Sequence, residues 1–210
     1  MRNHGDRLDR MRATLRKEAR ILEQLASVLD DRVNSPVDLL LETKGHVLVA
    51  GSGTSNPVAL RFAHLLSCCG LPALFIHPAD SLHGGSGAIK PEDTLVLISK
   101  GGRTAEINRL ARIARKRGAR LVAVTEAPES ELGQLADDII RVKVAPDSDP
   151  FGLVATSSSL ANAAVLDAVC ETVLVERGYS LQSFAETHPG GAVGSKIEEK
   201  GLGNRDEREE

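Results

Sequence analysis

Five short runs, His46 to Ala50, Ala73 to Ile76, Thr94 to Ile98, Arg120 to Val124 and Asp138 to Val142, are mostly apolar at consecutive positions rather than at alternate ones. A strand that is apolar on both sides has to be covered on both faces, which a sheet with one side in water does not provide. Helical patterns lie between and after the runs, at Pro57 to Cys69, Ala105 to Arg117, Ser130 to Leu135 and, longest, Ser157 to Arg177. Strands of this kind alternating with helices predict a doubly wound α/β fold, a parallel sheet flanked by helices.

With 210 residues the chain is long enough for one sizeable core. Residues 1–42 read as an N-terminal helical arm, because Leu8, Met11, Leu15, Ile21, Leu22, Leu25, Val28 and Leu29 recur at roughly helical spacing among charged residues. That stripe is expected to pack across the core or against another subunit. Residues 43–197 form the α/β domain, and 198–210, nearly all charged or Gly, form a tail expected to be disordered.

A formal charge of −3 supplies no broad positive field for nucleic acid or an anionic membrane surface. Met1 to Arg20 is charged throughout, and no stretch reads as a run of roughly 20 apolar residues, so no membrane partner and a cytoplasmic location are expected. Cys68, Cys69 and Cys170 lack metal-ligand spacing with His and read as buried thiols; no metal and no cofactor is expected. Aromatic residues make up only 2%, so recognition falls to backbone amides, hydroxyls and charges rather than to stacking.

In open parallel sheets ligands bind beyond the carboxyl ends of the strands. Gly51-Ser52-Gly53-Thr54-Ser55 follows the first strand and leads into a helix; its glycines allow close backbone approach, and its amides and hydroxyls suit a phosphate. Ser99-Lys100-Gly101-Gly102-Arg103-Thr104 follows the third, adding two cations, and Glu106 falls in the next helical turn, where it either complements the helix dipole or acts in catalysis. His83 stands in the glycine-rich segment Leu82 to Gly87, with a side chain suited to proton transfer. Asp147-Ser148-Asp149-Pro150 and Thr156-Ser157-Ser158-Ser159 precede the last long helix, the second run reading as its N-cap and a further source of phosphate-binding hydroxyls; His188-Pro189-Gly190-Gly191 follows it.

From Leu39 to Ile197 these motifs resemble the sugar-isomerase (SIS) domain of arabinose-5-phosphate isomerases. The resemblance rests on the loop Gly51 to Ser55, the segment His77 to Gly84, Pro150-Phe151-Gly152-Leu153 with Ala155-Thr156-Ser157-Ser158, and His188 to Gly194. It implies a five-stranded parallel sheet, phosphate held by the Ser/Thr loops, and homodimers or homotetramers with active sites assembled between subunits. The chain departs from the family pattern in several places. Thr54 stands where the first loop usually has lysine, Gly101 and Arg103 stand where the second has serine and glutamate, and Asp147 and Asp149 stand where a glutamate and a cysteine are usual.

Aldose–ketose isomerisation needs a base beside the carbonyl, a group that opens the ring and stabilisation of the developing oxyanion. A guanidinium cannot be the base. The expected phosphate site is Ser52, Gly53, Thr54, Ser55, Ser99, Lys100, Arg103, Thr104 and Ser157, with Asp147 or His188 as base, His83 or His188 opening the ring, and Glu106 a further candidate. The alternative is a non-catalytic phosphosugar-binding sensor or regulatory protein that keeps the loops and has lost the chemistry.

Overall fold

A computed structural model describes residues 4–147 and 149–201. Ser148 and 202–210, which include most of the expected charged tail, lie outside the described residues. The chain begins with α1 (His4–Val28), a 3₁₀ turn (Asp31–Val33) and α2 (Asn34–Leu41). The alternating part runs β1 (Val47–Gly51), α3 (Ser55–Cys68), β2 (Ala73–Phe75), α4 (Pro78–Leu82), a 3₁₀ turn (Gly85–Ala88), β3 (Thr94–Ile98), α5 (Ala105–Lys116), β4 (Arg120–Thr125), α6 (Glu131–Leu135) and β5 (Asp138–Arg141). It closes with α7 (Ser157–Glu176), α8 (Leu181–Glu186) and α9 (Gly191–Glu199).

The five strands form one parallel sheet in the order β2-β1-β3-β4-β5. The apolar runs segregate by parity, as strand pleating requires. Val47, Val49, Val96, Ile98, Val122 and Val124 face one core with α1, α2, α3 and α7, whereas Leu48, Ala50, Leu95, Leu97, Leu121 and Ala123 face a second with α5 and α6. Each fully buried Leu, Ile or Phe, such as Phe62, Leu66 or Leu97, contributes about 1.5–3 kcal/mol of transfer free energy. Strand order reverses between β1 and β3, and their paired ends Gly51 and Ile98 open the crevice where such sheets bind ligands.

Of the N-terminal stripe, Ile21 and Leu25 join the core against α7, the first of the two expected packings, whereas Leu8, Met11 and Leu15 are exposed. The next helix, α2, buries Val37, Leu39 and Leu40 in the same core. Helix α7 is apolar enough, with mean hydropathy 1.4, to pass a length-and-composition test for a membrane span, which the sequence reading does not anticipate. The cause is burial in the core: Ala161, Val165, Leu166, Val169 and Val173 are covered, chiefly against α3.

Candidate active site

Gly51 ends β1 so close to α3 that a Cβ there would stand 2.4 Å from the Ser55 carbonyl oxygen. A glycine is therefore what lets the helix start immediately beyond the strand. Helix α3 begins at Ser55, two residues before Pro57, with Ser55 and Asn56 donating their amides back to the Ser52 and Gly53 carbonyls. The amides of Gly53 and Thr54 make no hydrogen bond among the described residues. They stand at the crevice as free donors.

The second loop is held from beneath. The Lys100 carbonyl accepts from the Thr125 hydroxyl at 2.9 Å and the Glu126 amide at 3.0 Å; the Gly102 carbonyl accepts from the Leu132 amide at 3.2 Å and from Asn108 Nδ2 at 3.3 Å. These bonds turn carbonyls inward and leave the amides of Gly101, Arg103 and Thr104 without a hydrogen bond among the described residues. Gly102 takes φ +63°, and a Cβ there would fall 1.8 Å from Ser130 Oγ, so both the turn and the close approach require glycine. Ser99 Oγ and Thr104 Oγ1 lie 3.0 Å apart and present paired hydroxyls at the mouth of α5. Because Gly51 pairs with Ile98, the two loops emerge side by side. Unbonded backbone amides and hydroxyls at the start of a helix are groups that can hold a phosphate.

Asp147 is placed differently from Ser99 and Thr104. Its side chain is 2% exposed. Oδ1 accepts from the Ser158 amide at 2.8 Å, and Oδ2 accepts from Ser158 Oγ at 3.0 Å and from Lys100 Nζ at 3.1 Å. The Asp147 carbonyl accepts from Lys17 Nζ of α1, also at 3.1 Å. Burial pushes the Asp147 pKa up, but the bonds from the Ser158 amide, Lys100 and the Ser158 hydroxyl, with the Lys100 charge, outweigh it and hold the carboxyl below its usual value. Asp147 thus caps α7 from nine residues before its N-cap. Thr156, the residue at that N-cap position, makes no side-chain capping bond, contrary to the reading of the Thr/Ser run. Ser157 is buried beside it on the first turn.

His188 follows α8 and stacks on Phe184 with ring centroids 3.8 Å apart. Its Nδ1 lies 2.9 Å from the Phe184 carbonyl and 3.0 Å from Thr187 Oγ1. A carbonyl can only accept, so Nδ1 carries the hydrogen and the neutral ring keeps its lone pair on Nε2. No hydrogen bond among the described residues joins His188 to either crevice loop. His83 ends α4 and is exposed, as are Arg103 and Glu106, and Glu106 sits in the first turn of α5.

Three supporting residues escaped the sequence reading: Asn108, Thr125 and Lys17. Asn108 is 2% exposed on the inner side of α5, and a buried polar residue in an apolar helical stripe is the one signal that marks it in sequence. Thr125 ends a strand without special pattern, and Lys17 lies 130 residues from its partner.

A family description of the SIS domain matches residues 40–171. Arabinose 5-phosphate isomerase KpsF of Escherichia coli is 34% identical over 188 residues, covering 89% of this chain and 59% of that protein. The chain therefore spans little more than half the length of the curated relatives it matches. Among solved structures, a candidate sugar-phosphate isomerase from Listeria monocytogenes superposes with a TM-score of 0.87 at 34% identity, covering 90% of this chain and all of that one. The E. coli CFT073 protein c3406, solved in complex with arabinose 5-phosphate, superposes with a TM-score of 0.86 at 26% identity over 89% of this chain and all of that one.

Proposed function

Because the chain belongs to the SIS domain family, we propose that it interconverts the aldose and ketose forms of a phosphorylated sugar. The observation that carries this reading is the pair of loops side by side at the β1/β3 crevice, with the unbonded amides of Gly53, Thr54, Gly101, Arg103 and Thr104 and the hydroxyls of Ser99 and Thr104. Ser52, Gly53, Thr54 and Ser55 hold the phosphate from one side, and Ser99 and Thr104 from the other, with the dipoles of α3 and α5 behind them. Ser157, buried in the first turn of α7, is a further candidate for the phosphate.

Of the candidate bases, His188 is the best suited. With Nδ1 donating to the Phe184 carbonyl, Nε2 of the neutral ring is the atom left to accept a proton, whereas both Asp147 oxygens are engaged and the carboxyl is a weakened base. In the open-chain aldose, a base takes the proton from C2, the electron pair forms the C1–C2 double bond, and the carbonyl oxygen is protonated to give an enediol. Return of a proton to C1, with loss of one from the C2 hydroxyl, gives the ketose. Lys100 and Arg103 lie close to the loop that would face the developing oxyanion. Among the described residues His188 is bonded to α8 and Thr187 and not to the crevice loops, and in this reading a second copy of the chain brings His188 to the loops. Exposed Leu8, Met11 and Leu15 give that copy an apolar face to meet.

The test is incubation with a panel of aldose phosphates that includes arabinose 5-phosphate, following ketose formation by NMR. Conversion of one member that disappears in His188→Ala supports the assignment. Binding to the panel without conversion would move the chain to the phosphosugar-sensor reading.

A further inference from the structure

A cleft of about 490 Å³ lies outside the proposed active site, between the α1–α2 junction and β5. Among the described residues strand β5 pairs with β4 alone, so it is an edge strand, and it stands two strands, roughly 10 Å, from the β1/β3 crevice. The volume falls in the range of about 300–1,000 Å³ typical of small-molecule sites. Leu25, Val28, Leu29 and Val33 form one wall, and Ile139 and Ile140 the other. Val28 and Leu29 are 66% and 42% exposed, an apolar surface that a ligand would cover.

The charges at this cleft are unevenly matched. Asp30 grips Arg32, Nε donating to Oδ1 at 2.9 Å and to Oδ2 at 3.1 Å. Bonds from the Arg32 side chain and amide hold the Asp30 carboxyl down at about 2, and the charge of Arg141 adds to the effect, which places Arg141 on the same cluster. The Asp30–Arg32 pair is thus internally neutral and fixed in place. Arg141 and Lys143 also line the cleft, and neither makes a hydrogen bond or ion pair among the described residues. An apolar trough whose rim holds two cations free of direct ion pairs is complementary to one kind of molecule.

We propose that this cleft is a second binding site, taking a small amphipathic anion whose apolar body lies between Val28, Leu29 and the β5 isoleucines and whose anionic head meets Arg141 and Lys143. The site is separate from the sugar-phosphate cradle, and its occupancy does not depend on the isomerase reading.

The chain contains no tryptophan, so Val28→Trp provides a unique reporter on the cleft wall. Titration of this variant with octanoate is expected to give a saturable blue shift, with octanol of the same chain length binding more weakly. Adding Arg141→Glu and Lys143→Glu should weaken octanoate by roughly tenfold, the size expected for two partly exposed charge contacts, at unchanged melting temperature. Saturation-transfer NMR of octanoate on the unsubstituted chain and on the Arg141→Glu/Lys143→Glu variant repeats the comparison without the reporter. Absence of saturable binding, equal response to octanol, or indifference to the charge reversal would each overturn the proposal. So would an emission from the introduced indole that is already blue-shifted without ligand and reverts on dilution, because a second copy of the chain would then cover the cleft.

Discussion

Removing the Asp147 carboxylate should separate an anchoring role from a catalytic one. In Asp147→Ala the α7 N-terminus loses the acceptor for the Ser158 amide, worth about 1 kcal/mol as a cap. The buried Ser158 hydroxyl loses a charge-assisted partner, about 1–1.5 kcal/mol. Lys100 is 40% exposed and can turn to water, so its contact adds well under 1 kcal/mol. The sum is about 2–3 kcal/mol, or a melting temperature lower by roughly 5–10 °C for a domain of this size. Asp147→Asn keeps Oδ1 for the Ser158 amide and should lose only about 1 kcal/mol. Scanning calorimetry measures both variants, and turnover on the converted sugar phosphate is measured beside it. An anchor predicts that Asp147→Asn stays within roughly tenfold of the parent rate, whereas a general base predicts a loss of about 10²–10⁴. A melting temperature unchanged in Asp147→Ala, or a thousandfold rate loss in a stable Asp147→Asn, would refute the reasoning.

Other outcomes follow from the same geometry. Because the Asp147 pKa is lowered by folding, its stabilising contribution is fully present above the ordinary carboxylate range of about 4 and is lost as pH falls through the lower folded value; an acid-unfolding series should show a shallower acid limb in Asp147→Asn. Gly102→Ala forces a side chain into φ +63° and onto Ser130 Oγ, and should cost about 2–5 kcal/mol in denaturant titration while disrupting the second loop. Arg103→Glu should weaken binding of the natural ligand if Arg103 meets a second anionic group; tighter or unchanged binding by calorimetry counts against that role.

The sheet was legible because its strands are apolar on both faces, and Thr94 to Ile98 matches β3 residue for residue. The crevice loops could be placed from their glycines and from the rule that ligands bind where strand order reverses. Helices α4, α8 and α9 escape the sequence reading: five to nine residues give little periodicity, and α9 carries two glycines, whereas the equally short α6 is marked by its place between two apolar strands. The cap of α7 was misassigned to Thr156 because local spacing favours it; the actual acceptor, Asp147, reaches back across a loop, a tertiary choice that adjacent residues do not encode. The long reach of Lys17 was invisible for the same reason. The lone pair on His188 Nε2 depends on a carbonyl four residues earlier, which no side-chain pattern reveals.

The central claim is proton transfer at the carbon beside the carbonyl, and solvent deuterium incorporation reads it directly. In deuterated water, with the sugar phosphate that most stabilises the protein, NMR should show label entering C2 of the aldose or C1 of the ketose at a rate that falls about 10²–10⁴-fold in His188→Ala. Tight binding with no incorporation by the unsubstituted protein would contradict the isomerase account.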